Sequence, residues 1–513
     1  MVAANPILPG FYPDPSICRV GDDFYLVNSS FEYFPGVPLW HSRDLLNWRQ
    51  LGHVLTRPSQ LPLPSGLKPS DGIYAPTIRY HAGRYYMVTT HMPGTGNFLV
   101  HTTDIAGEWS EPIRIAQGGI DPSLFFDSDG RCFFTSNGTG WAPVRGAYQC
   151  EIDPLTGEQL TATRFIWPGT GGSYPEAPHL FRRGGFYYLM MAEGGTAEGH
   201  MVTIARSRDP YGPFESCPQN PVLSHRSLMS PVQATGHADF VEDQNGRWWA
   251  VFLGYRYCEH GFHPLGRETY LASVEWTDDG WPLVNSGRPL PADLELPDTG
   301  LPAWTWPEAP VRDDFHGAEL ALYWMFVRNP EAGAWSLLER PGALTLRCSS
   351  ASPDDAASFA GVVRRQCHLE VTCATRVEFD ATAENEEAGL VVMMDHRHHY
   401  EIAVTRRAGV RVVIVRRRIG SLAAEVACAP APDGALRLAL EGDRLRYRLG
   451  FATENTVSRD MRWLAEGEVR YLCTEVAGGY NGVVIGPYAA ARGIAGSKAS
   501  AYFDWFDYKP ICP

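Results

Sequence analysis

Long apolar runs, paired cysteines and a surplus of basic charge are all missing from this 513-residue chain, and each absence excludes a class of protein. No stretch approaches the roughly 20 apolar residues of a membrane-spanning helix, so no membrane partner is expected. Lys and Arg total 44 against 58 Asp and Glu. The net charge of -14 argues against a nucleic-acid partner, whose phosphates need clustered cations. The 11 cysteines are odd in number and scattered, with no Cys-x-x-Cys pair, so neither a disulfide framework nor a zinc site is encoded. Met1-Val2-Ala3-Ala4-Asn5-Pro6 lacks the basic start and apolar core of a secretory signal. A cytoplasmic location is therefore expected, although a secreted chain with its signal trimmed would look the same. Nothing in the sequence sets the oligomeric state, and a homodimer or homotetramer is compatible with it.

What the chain does have is 51 Gly, 40 Pro and 12% aromatic residues in a composition that is 44% hydrophobic. That texture favours many short strands and turns, hence an all-β fold, and the length needs more than one domain. Paired aromatics enter strand-like runs at Phe24-Tyr25, Tyr85-Tyr86, Phe133-Phe134, Tyr187-Tyr188 and Trp248-Trp249. Their first members are spaced by 61, 48, 54 and 61 residues, the length of a four-stranded unit with its loops. Five such units in series predict a five-bladed β-propeller around a central channel. The proline-rich residues 289–310, with Trp304 and Trp306, read as a linker lying on a surface. Beyond it, short strand-like runs recur as far as an alternating stretch over 501–508, which predicts a β-sandwich. The expected division is a catalytic propeller over residues 1–300, a linker over 301–310 and a sandwich over 311–513.

Asp14, Asp121, Glu176 and His237 precede their aromatic pairs by 10, 12, 11 and 11 residues, and Tyr74 precedes Tyr85 by 11. If an innermost strand starts at each position, all five surround the channel. One Asp-Pro pair is an ordinary turn. Three carboxylates and a histidine at one repeat position point to chemistry instead, because crowded like charges cost stability unless they share protons or bind cations. Two carboxyl groups flanking a sugar are the usual equipment for cleaving a glycosidic bond, and a third can keep the acid protonated. The nearby aromatics Phe11, Tyr12, Phe31, Tyr33, Phe34, Tyr74 and Tyr174 would either stack on sugar faces or pack the blades.

Taken in order, Gly10-Phe11-Tyr12-Pro13-Asp14-Pro15-Ser16, Ser29-Ser30-Phe31-Glu32-Tyr33-Phe34-Pro35-Gly36, Glu176-Ala177-Pro178-His179, Ala192-Glu193-Gly194-Gly195-Thr196, Gly236-His237-Ala238-Asp239 and Gly266-Arg267-Glu268-Thr269 resemble glycoside hydrolase family 43. More narrowly, the chain is similar to β-xylosidase and α-L-arabinofuranosidase members in which a concanavalin-like, jelly-roll sandwich follows the propeller and caps its site. The resemblance implies that Asp14 is the general base, Glu176 the general acid and Asp121 the pKa modulator of an inverting hydrolysis. It makes Arg267 a substrate-site arginine and Phe31 and Tyr74 the walls of a single-sugar pocket. It makes Tyr480 an aromatic closing that pocket from the sandwich. His237 resembles a channel histidine often found near calcium or another ion, while the chemistry itself requires no cofactor. The substrate class implied is a small oligosaccharide, from whose non-reducing end xylose, arabinose or both are released. A dedicated α-L-arabinofuranosidase trimming arabinoxylan or arabinan side chains is the alternative, and a catalytically silent sugar-binding propeller is the alternative of another class.

Two residues depart from the family pattern. Ala177 stands where relatives frequently carry glycine, and Tyr74 stands where tryptophan is common. Ser207-Arg208-Asp209-Pro210 resembles a motif of invertase-type hydrolases but occupies the repeat position of Ser42-Arg43-Asp44-Leu45, so it belongs to blade architecture. Asp395-His396-Arg397-His398-His399 is too far from the acids to be read as their metal site, and Arg416-Arg417-Arg418 reads as a solvated strand end.

Overall fold

The structure, a computed structural model, describes residues 4–258, 261–453 and 461–511. The expected all-β architecture is present, beginning with a five-bladed propeller. Its inner strands are Ser16–Val20, Thr77–His81, Ser123–Phe126, Glu176–Arg183 and Val232–Glu242. Each touches the next and the last touches the first, so the ring is closed. Asn5 seals the closure. Its amide nitrogen donates to the Leu271 carbonyl at 2.9 Å and its oxygen accepts the Leu271 N–H at 3.0 Å, tying the lead-in to blade 1 onto blade 5.

The aromatic doublets have a packing cause. Successive strand residues face opposite sides, and a propeller blade has a neighbour on each side. Phe24 enters the core shared by blades 5 and 1 while Tyr25 enters that of blades 1 and 2. Tyr85 and Tyr86 divide likewise between blades 1 and 3, and in blade 3 the order reverses, Phe134 facing blade 2 and Phe133 blade 4. Burial on both faces is why Trp248–Arg256 reads as a nearly continuous apolar run instead of an alternating one.

Across the channel, Arg79 of blade 2 donates twice to Asp239 of blade 5, at 2.7 and 3.0 Å. The same guanidinium reaches Ser16 of blade 1 at 3.2 Å and His179 of blade 4 at 3.1 Å. Blade 3 joins through Ser123, whose hydroxyl donates to the Pro178 carbonyl at 2.5 Å, and through its Pro122 carbonyl, which accepts from Thr77 at 2.9 Å. Burial alone would raise the Asp239 carboxyl, but Arg79 brings it down to about 2.

Residues 301–310 carry no strand and are stapled to blade 1. The Trp304 N–H donates to Asp44 at 2.8 Å and the Trp306 indole N–H to the Asn47 carbonyl at 3.2 Å. The second unit is a sandwich of two antiparallel sheets whose strands run from Arg312 to Pro510. It shares a core with the propeller. Phe326–Val327 pair antiparallel with Tyr33–Phe34, and Phe11, Phe31 and Tyr33 pack with Met325, Val391, Met393 and Tyr488. The last strand, Ser500–Pro510, alternates inward at Ala501 and Phe503, then at Phe506 and Tyr508, its phase shifted by a bulge.

One expectation about the sandwich is corrected. Arg416 is not a solvated strand end, because its guanidinium binds Glu387 at 2.5 Å and Glu401 at 3.0 Å. Arg492 also binds Glu387, Glu401 and Asp354. His399 lies 3.1 Å from Glu401 and 3.4 Å from Asp354. With both of these acids already held by arginines, the cluster is a charge-balanced ion network.

Replacing Arg79 by Leu would leave Asp239 buried and unpaired. The expected cost is about 3 kcal/mol of folding stability, measured as a lowered urea midpoint with an unchanged slope, and a midpoint equal to wild type would refute the bracing role of this pair.

Candidate active site

The five positions singled out by the repeat, Asp14, Tyr74, Asp121, Glu176 and His237, all line one cavity of about 450 Å³. Three of them share a backbone state that no composition reveals. Asp14, Asp121 and His237 stand at φ values of +53°, +52° and +48°, a left-handed conformation that non-glycine residues seldom adopt. Around Glu176 the same state appears in Tyr174 at +50° and Ala177 at +52°. That φ explains why glycine suits position 177, and here the Ala177 N–H, in the strained conformation, donates to Asp121 Oδ2 at 3.3 Å. The loop entering Glu176 is held by buried Glu193, whose carboxylate accepts the N–H groups of Thr170 at 2.7 Å and Gly172 at 2.6 Å and the Thr203 hydroxyl at 2.6 Å.

The three acids are not electrostatically equivalent. Burial pushes all three upward, and their partners then separate them. Asp14 accepts from Arg267 Nη1 at 2.9 Å and from the Ser29 hydroxyl at 2.5 Å, and His237 Nδ1 lies 3.4 Å away. Against the burial cost, Arg267 foremost among these groups holds the Asp14 carboxyl below the ordinary range. Burial lowers His237 to about 4, so at neutral pH it is an uncharged imidazole. Asp121 is raised to about 7 by burial and then by the charge of Asp14. Glu176 is raised well above its ordinary value by burial, then by Asp121 and then by Asp14. Asp14 is therefore the acid biased toward its ionised form, while Asp121 and Glu176 in the same cavity are both biased toward the protonated form.

Phe31, Tyr74, Arg267 and Tyr480 also line the cavity. Phe31 lies 5.5 Å from Tyr74 and 6.1 Å from Tyr480, ring centre to ring centre, and the Arg267 guanidinium sits 5.5 Å from the Tyr480 ring. Tyr480 comes from the sandwich, on a loop following the single helical turn Thr474–Ala477. Of the other aromatics considered as sugar platforms, only Tyr174 reaches the cavity, while Phe11, Tyr12, Tyr33 and Phe34 are buried in packing. Among the residues given no role from sequence, Thr196 accepts from Arg267 at 3.2 Å and Ser29 bonds Asp14, as described. Ser16 and Asp239 follow a repeat position by two residues, and strand period two was the signal that could have drawn them into the channel, whereas His179 follows Glu176 by three across a register shift that the sequence does not announce.

An ion near His237 finds few protein ligands. Asp14 is taken by Arg267 and Ser29, and Asp239 by Arg79 and Ser16. Among the described residues, the group with three potential ligand atoms within 4.8 Å of one another is Asp354, His399 and Glu401 in the sandwich, and it does not include His237. The side chains around His237 thus form no cation cage by themselves.

The electrostatic ordering predicts a pH response. Asp121→Asn removes a negative charge beside Glu176, so the Glu176 proton should leave at lower pH. The basic limb of kcat/KM should move toward acid while the limb set by Asp14 moves little. An unchanged basic limb would refute the coupling of these two acids.

The family model described as Glycosyl hydrolases family 43 matches residues 3–282, and that described as the Beta xylosidase C-terminal Concanavalin A-like domain matches residues 312–509. A Bacteroides ovatus protein named as a non-reducing end alpha-L-arabinofuranosidase is 42% identical over 98% of this chain and 94% of its own length. A Butyrivibrio fibrisolvens protein named as a xylosidase/arabinosidase is 38% identical over 96% of each. The crystal structure of a xylan beta-1,4-xylosidase from Bacillus halodurans C-125 superposes with a TM-score of 0.92 at 34% identity, covering 99% of both chains. With the acids, the closed propeller and the appended sandwich in one arrangement, the chain belongs to glycoside hydrolase family 43.

Proposed function

We propose that the protein is an exo-acting, inverting glycosidase that releases xylose, arabinose or both from the non-reducing ends of xylo- or arabino-oligosaccharides. The carrying observation is the arrangement inside one cavity, where Arg267 donates to Asp14 at 2.9 Å while Asp121 and Glu176 line the same space, which biases Asp14 toward its ionised form and Glu176 toward its protonated form. Asp14 takes a proton from water as the water oxygen bonds to the anomeric carbon. Glu176 gives its proton to the glycosidic oxygen as that bond breaks, and the shortened oligosaccharide leaves with a free hydroxyl at that oxygen. Asp121 keeps Glu176 protonated between turnovers. Exo action is supported by Tyr480 of the sandwich, which lines the cavity together with the propeller's acids and caps one side of it. A leading α-L-arabinofuranosidase activity is a second reading, favoured by the smaller ring of Tyr74 at the position where tryptophan is common.

Glu176→Ala should lower kcat by about 10²- to 10⁴-fold on xylobiose. It should cost much less on para-nitrophenyl β-D-xyloside, whose leaving group needs little protonation, and equal rates for wild type and variant on both would sink the acid assignment. Proton NMR of the first product should give the anomer opposite to the substrate, and a retained anomer would overturn Asp14 as base. Product analysis on xylobiose against arabinoxylan separates the two activities. Sugar binding with no turnover of either would favour a silent binding propeller.

A further inference from the structure

Glu32 follows Phe31 in the chain, is only 3% exposed, and does not line the cavity. Its carboxylate instead gathers the loop that carries Tyr480. Oε1 accepts from the Asn481 amide at 2.8 Å and Oε2 accepts the Ser70 N–H at 2.9 Å. The Ser70 hydroxyl in turn donates to Asn481 Oδ1 at 3.1 Å and accepts the Tyr480 N–H at 2.8 Å. Three segments remote in sequence thus meet on one buried carboxylate. The approach is close enough to dictate glycine at both ends of the loop. A Cβ on Gly479, at φ +74°, would stand 2.6 Å from the Ser70 hydroxyl, and one on Gly482 would stand 2.5 Å from the Leu265 carbonyl.

The tyrosine ring itself is weakly buried. Tyr480 is 44% exposed, so packing alone does not hold it over Phe31 and Arg267. Its backbone N–H and its neighbour Asn481 are what the propeller grips. We infer that Glu32 is a positioning residue that fixes Tyr480 as the sandwich-side wall of the sugar pocket, so that the grip on substrate depends on a carboxylate that never meets it. The inference rests on the reading of the cavity as a pentose site. It also gives the sandwich a part at the pocket, since without residues 478–482 Glu32 would keep its bond to Ser70 but have no Asn481 to hold.

A double-mutant cycle on the full-length protein tests the inference. Glu32→Gln keeps the shape but turns one acceptor into a donor facing either Ser70 N–H or the Asn481 amide. With para-nitrophenyl β-D-xyloside or α-L-arabinofuranoside, it should lower kcat/KM about five- to tenfold, mainly by raising KM, in the range expected for loss of one aromatic wall. In a Tyr480→Ala background the same substitution should change kcat/KM by less than about twofold, because the group through which it acts is gone. Asn481→Ala, cutting the same contact from the loop side, should reproduce the KM effect if Glu32→Gln folds poorly. Equal losses in both backgrounds, or no loss in wild type, would overturn the inference. Amide hydrogen exchange reads the contact without sugar, and exchange at Tyr480 should quicken about tenfold in Glu32→Gln. Faster exchange in a protein that turns over neither glycoside would uphold the clamp and refute the pentosidase reading, and unchanged exchange would refute the clamp whatever the activity.

Discussion

Three carboxyl groups line one cavity with the guanidinium of Arg267, and burial disfavours charging all three at once. Arg267 lies against Asp14 at 2.9 Å, so the negative charge settles on Asp14 and the proton stays with the Asp121 and Glu176 side of the pocket. Moving that guanidinium would reassign the charges before it removed any contact with a ligand. The fold can be understood as the means of keeping this unequal sharing in place at neutral pH.

Holding like charges together needs a scaffold that does not relax. The closed ring supplies it through two devices. Asn5 ties the chain's beginning to blade 5, and the Arg79–Asp239 pair, with Ser16 and His179, braces four inner strands across the channel. The left-handed backbone at Asp14, Asp121 and His237 is local strain that persists because those strands are fixed on both sides. Stability and chemistry are therefore coupled at the same inner strands, one residue and its second neighbour serving different ends.

The sandwich enters the site by packing as well as by contact. Phe31 has one side in a core made largely of sandwich residues and the other on the cavity beside Tyr74. The short pairing of Phe326–Val327 with Tyr33–Phe34 and the bonds from Glu32 to Ser70 and Asn481 converge on the same few residues of blade 1. The motif from Ser29 to Gly36 is thus the junction of the two units. From sequence it reads as a family signature, with Phe31 as a pocket wall and Tyr33 and Phe34 as rings that either stack on sugar or pack the blades.

The repeat of aromatic doublets, their spacing and the carboxylates at one offset were legible because each expresses a local rule: strand alternation places one ring in each interblade core, and equal offsets place equal positions at the axis. The chain alone therefore determined the propeller, the sandwich and the candidacy of Asp14, Asp121 and Glu176. Composition and spacing do not separate Phe31 and Tyr74 from Phe11, Tyr12, Tyr33 and Phe34, which only the family resemblance sets apart, because which ring meets the cavity depends on how two domains close over it. Nor do they show Arg416 as part of an ion network, since Glu387 and Glu401 reach it only through sheet register. Only the tertiary structure decided which acid is charged, because that depends on burial and on the distance from Asp14 to an arginine 253 residues away in the chain, and a string of residues carries neither quantity.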